Sequence, residues 1–135
     1  MSNDPRLDAA IDALRRGRVA DAQERFLATM PVVGGPKSAN KYLPMARAAQ
    51  AYREAGRVED GRAFLHRALD VMETVVAQDW SYNGFLLLAD EARRWQLPAD
   101  EERLLRRELG FREKAGHGAV LFLRQHLEIG ERPHS

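Results

Sequence analysis

The segment Pro31-Val32-Val33-Gly34-Gly35-Pro36-Lys37-Ser38 holds the glycines, lysine and serine from which a phosphate-cradling loop is made. Such a loop needs its glycines spaced so that consecutive backbone amides converge on the phosphates, with lysine directly after the last one. Here Pro36 separates Gly35 from Lys37, no glycine stands five residues before Gly35, and no strand pattern leads in. The segment is expected to be a connector. Gly116-His117-Gly118 is likewise a fragment of a dinucleotide fingerprint, lacking the third glycine and the preceding strand. The histidines His66, His117, His126 and His134 include no pair at three- or four-residue spacing, and zero cysteines exclude thiolate metal sites, disulfides and a cysteine nucleophile. Ser2, Ser38, Ser81 and Ser135 stand in no nucleophile motif. The expectation is therefore no enzyme, no catalytic residue, no metal and no cofactor.

Arginine carries most of the positive charge. Arg103, Arg106 and Arg107 form a cluster, with Arg93 and Arg94 shortly before it. Acidic residues offset them, and Glu102 with Arg106 and Glu108 with Arg112 have the i,i+4 spacing that supports a helix. The cluster reads as a solvated ion-pair face. Over the whole chain 21 basic residues meet 20 acidic ones, which gives no general field for nucleic acid or an acidic membrane surface. The apolar stretches near 85–89 and 119–123 are too short to span a bilayer. The opening Met1-Ser2-Asn3-Asp4-Pro5 has no basic region leading into an apolar run. A cytoplasmic protein is expected.

The elements that position these residues follow from an internal repeat. Gly17-Arg18-Val19-Ala20-Asp21-Ala22 recurs as Gly56-Arg57-Val58-Glu59-Asp60-Gly61, 39 residues on, and more weakly as Gln96-Leu97-Pro98-Ala99-Asp100-Glu101, a further 40 on. In this register Ala10, Ala49 and Ala89 are equivalent, as are Ala13, Tyr52 and Ala92 before the turn. Phe26, Leu65 and Leu105 correspond after it, as do Met30, Leu69 and Leu109. Small residues on one segment facing large ones on the next suit two helices in close contact. Each flank has helical apolar spacing: Leu7, Ala10, Ile11 and Leu14 follow Asp4 as cap and Pro5 in the first turn. The expected hairpins cover about 4–30, 42–77 and 82–114. Val120, Leu123 and Leu127 then mark a final helix over about 119–129, expected to cap the exposed apolar end of a stack.

Ala49, Tyr52, Gly56, Leu65 and Ala68 in the second hairpin, with Ala10, Gly17, Ala22, Phe26 and Pro31 in the first, resemble the tetratricopeptide repeat family. The period is longer than that family's roughly 34 residues and also suits two-helix HEAT-type repeats. Gly61 and Gln96 depart from the family's alanine and turn glycine. The resemblance implies an all-α fold over a single domain, residues 1–135. It would be a right-handed stack of three antiparallel helix hairpins, an α-solenoid, plus the C-terminal capping helix. It also implies a protein–protein interaction module, an adaptor or chaperone, whose groove is lined by first helices. Carried over by register, the partner-binding residues are Leu43, Arg47, Gln50 and Arg53 from the second hairpin, and Leu86, Leu87, Asp90, Arg93 and Arg94 from the third. The positions matching the family's carboxylate clamp are Leu7, Ile11, Arg47, Asn83 and Leu87; three are apolar, so that clamp is not expected. The expected partner is a peptide or helical segment of another protein, with a homodimer possible and no nucleic acid or membrane. The competing reading is a self-assembling homo-oligomeric structural protein without a peptide groove.

Overall fold

The computed structural model describes residues 4–34, 39–78, 84–115 and 127. Its described residues form six α-helices and no strand: α1 (Pro5–Arg15), α2 (Val19–Ala28), α3 (Leu43–Glu54), α4 (Val58–Gln78), α5 (Gly84–Arg94) and α6 (Pro98–Ala115). A 3-10 turn, Ala39–Tyr42, leads into α3. The chain divides into two compact units, Met1–Asp79 and Trp80–Ser135.

The three helix–helix turns repeat bond for bond. After α1 the amide of Arg18 donates to the carbonyl of Ala13 (2.9 Å) and that of Gly17 to Leu14 (3.0 Å). After α3, Arg57 donates to Tyr52 (2.9 Å) and Gly56 to Arg53 (3.0 Å). After α5, Leu97 donates to Ala92 (2.8 Å) and Gln96 to Arg93 (3.0 Å). This is the Schellman pattern, which satisfies the last carbonyls of a helix and needs a left-handed residue just past its end. Gly17, Gly56 and Gln96 supply it, with φ of 79°, 70° and 57°. Glycine adopts that conformation without penalty, whereas an L side chain pays about 1–2 kcal/mol. Gln96 therefore holds the third turn under strain that the first two avoid.

The first unit holds two hairpins. Asp4 caps α1, its carboxylate accepting the amide of Arg6 at 2.9 Å; the Arg6 side chain also donates to it and holds its pKa below the ordinary value. Helix α1 packs on α3, and α2 on both α3 and α4. The core follows the repeat register: Ala10, Ala13, Ala49 and Tyr52 are buried on the first helices, Phe26, Leu65 and Leu69 on the second ones or beside them. Phe26, Tyr52 and Phe64 meet at its centre with ring centroids 5.3–5.7 Å apart. Helix α2 ends at Ala28, short of Met30. There Thr29 turns its hydroxyl back onto the Phe26 carbonyl (2.6 Å) while its amide tightens the last turn onto the same group.

In the second unit α5 and α6 form one hairpin, with Phe85, Leu88, Ala89, Ala92, Trp95, Leu104 and Leu105 buried. One expectation is corrected here. Glu108 and Arg112 are an ion pair at 2.8 Å, but their side chains are only 0% and 3% exposed, so this pair belongs to the interior and not to a solvated face. The pair Glu102–Arg106 has the same spacing and is half-exposed. Of the expected capping helix only Leu127 is described, and it is buried; the rest of it, and Asn83, lie outside the described residues.

Candidate functional site

The nine residues expected to line a groove fall in both units, four on α3 and five on α5. On α3, Arg47, Gln50, Ala51, Glu54 and Ala55 recur at helical spacing and so form one stripe. This stripe faces Ile11, Leu14 and Arg15 of α1 across a cleft of about 450 Å³. That volume is in the range that holds a small ligand or a few side chains of a peptide. Its floor is apolar, with Leu14 and Ala51 buried. Its rim is polar: Gln50 donates to the Glu54 carboxylate at 3.0 Å, and Arg15 and Glu54 are exposed. Arg15 forms no ion pair with another described residue. Helices α1 and α3 pack together, and the small residues Ala10 on α1 and Ala48 on α3 are fully buried.

Of the expected groove residues, Arg47 and Gln50 line this cleft. Leu43 and Arg53 do not: Leu43 begins α3 with 46% of its surface exposed, and Arg53 is exposed outside the lining. The α1 wall was missed as a binding element, although the register already held the signal. Ile11 and Arg15 are 39 residues before Gln50 and Glu54 and occupy the equivalent positions.

On α5 the arginines are held by carboxylates of their own helix. Arg93 pairs with Asp90 at 2.6 Å, and Arg94 pairs with Asp90 at 2.9 Å and Glu91 at 3.0 Å. These are surface pairs with small net energies, so a competing carboxylate can displace them. Leu87 is 51% exposed and Leu86 half-buried, leaving a modest apolar patch beside the charged end.

One described group with a large titration shift, Tyr52, lies in the core. Burial, assisted by the negative charge of Asp60, pushes the Tyr52 hydroxyl up to about 12. The phenol ring stacks on Phe64 in the core, with centroids 5.3 Å apart. Among the described residues no three histidine, cysteine or acidic side chains gather as metal ligands, and no helix is long and apolar enough to cross a membrane. No family model matches the chain, and no curated protein or solved structure matches it either.

Proposed function

We propose that the chain is a helical-repeat interaction module of the tetratricopeptide type, an adaptor or chaperone that takes a peptide or helical segment of a partner protein. The observation that carries this reading is the α1–α3 cleft: an apolar floor between two first helices, with arginines at its rim. A segment with an apolar side chain seated on this floor would remove the part-exposed Ile11 from water. A carboxylate on the same segment would meet Arg15 or Arg47, a planar donor suited to bidentate pairing. The exposed Leu87 and the arginines of α5 offer a second, smaller contact surface.

The test is retention of a partner from an extract of the source organism by the wild-type chain and by Arg15→Glu combined with Arg47→Glu. Both substitutions lie on exposed or half-exposed positions, so the variant keeps its helical circular dichroism. The reading expects a stoichiometric partner on the wild type, released as salt rises and lost in the double variant. Undiminished capture by a folded double variant would contradict a site in the cleft. A stable homo-oligomer that captures nothing would favour self-assembly instead.

A further inference from the structure

We propose that Glu108 and Arg112 form a latch that closes the open end of the α5–α6 hairpin and decides whether the first turn of α5 stays helical. The two ends of this hairpin are held differently. At the turn, backbone bonds from Gln96 and Leu97 close the end of α5. At the open end, the first amides of α5 have no acceptor within their own helix. One of them, Phe85 N–H, donates instead to Glu108 Oε1 on α6 at 3.2 Å. The second carboxylate oxygen accepts Arg112 Nε–H at 2.8 Å. Around this point the Phe85 and Phe111 rings lie 5.2 Å apart, and the Arg107 guanidinium stands over Phe85 at 5.4 Å.

An ion pair this buried is a poor source of net stability, because desolvation offsets most of its attraction, and apolar replacement of both partners is often neutral or better. What an apolar pair cannot supply is an acceptor for the Phe85 amide. The pair's particular contribution is therefore local. It holds Gly84 and Phe85 in the helix, and with them the turn that presents Leu86 and Leu87. This holds whether or not α5 contacts a partner.

The experiment is amide hydrogen exchange on the full chain, comparing Phe85 with Leu97 at the far end of the same hairpin. In Glu108→Met combined with Arg112→Met, the denaturation midpoint is expected to match or exceed that of the wild type. Exchange at Phe85, relative to Leu97, should rise by roughly tenfold or more. Unchanged protection at Phe85, or equal loss at both amides, would overturn the latch. Should that variant fail to fold, Glu108→Gln and Glu108→Ala give the same discrimination. Glutamine keeps an accepting oxygen and should preserve the Phe85-to-Leu97 exchange ratio, which alanine should raise; equal ratios in the two would overturn it.

Discussion

The interiors of the two units differ although their hairpins share one register. In the first, Phe26, Tyr52 and Phe64 fill the space between α2, α3 and α4 with rings, and the one charged side chain buried among its described residues, Lys41, lies in the turn before α3 and not among them. In the second, a lone hairpin buries Phe85 against Phe111 but also encloses a carboxylate and a guanidinium. The turn follows the same division: glycine where the conformation demands it in the first unit, glutamine in the second. The comparison teaches that the repeat is conveyed by backbone bonding and by small-against-large packing, while the chemistry of the core is free to change. The first unit centres on an aromatic cluster; the second encloses a charged pair and accommodates a left-handed glutamine.

The largest way to break this comparison is to remove a ring from the first unit. Phe64→Ala deletes a fully buried side chain that touches both other aromatics, and is expected to cost about 3–5 kcal/mol in chemical denaturation. A loss below about 1 kcal/mol would mean that the cluster is not the centre of the unit. A smaller effect, opposite in sign at the two sites, comes from exchanging the turn residues. Gly56→Ala should destabilise by about 1 kcal/mol for conformational reasons alone, since an added Cβ meets nothing within 4 Å. Gln96→Gly should stabilise by about 1 kcal/mol, because it relieves the left-handed strain. Equal and like-signed responses would remove the distinction between the turns.

A further effect is confined to alkaline solution. Because the Tyr52 hydroxyl is raised from 10 to about 12 in the folded chain, the unfolded chain loses this proton first as pH rises. Stability from the neutral phenol is complete below pH 10 and lost progressively toward pH 12. Tyr52→Phe has no proton to lose there, so its stability curve should be flatter across that window than the wild type's. Parallel curves would show that the hydroxyl is not sequestered.

The hairpins were legible because their turns are written in a recurring hexapeptide, and because Ala10, Ala49 and Ala89 face larger residues at constant offset. Even Gln96, which no turn preference would select, was found through its position in that register. The fate of Glu108 was not legible. Spacing shows only that Glu108 and Arg112 can pair, as Glu102 and Arg106 can, and the difference between them is which stripe of α6 turns toward Phe85. The candidate site was half visible. Arg47 and Gln50 share one stripe in the register; Ile11 reads as an apolar residue of α1, while Arg15 carries no signal of its own. Only the packing of α1 on α3 makes them one wall of a cleft. Leu43 lies outside the cleft because the first position of a helix projects beyond the stripe that its later residues share.

Three hairpins are closed by one repeated backbone device, the third without glycine. The most direct test of this claim is solution NMR of scalar couplings transmitted across hydrogen bonds. These should be detected from the amides of Arg18, Arg57 and Leu97 to the carbonyls of Ala13, Tyr52 and Ala92, together with a positive φ at Gln96. A missing coupling at Leu97, or a negative φ at Gln96, would contradict the claim and leave the chain with two repeats instead of three.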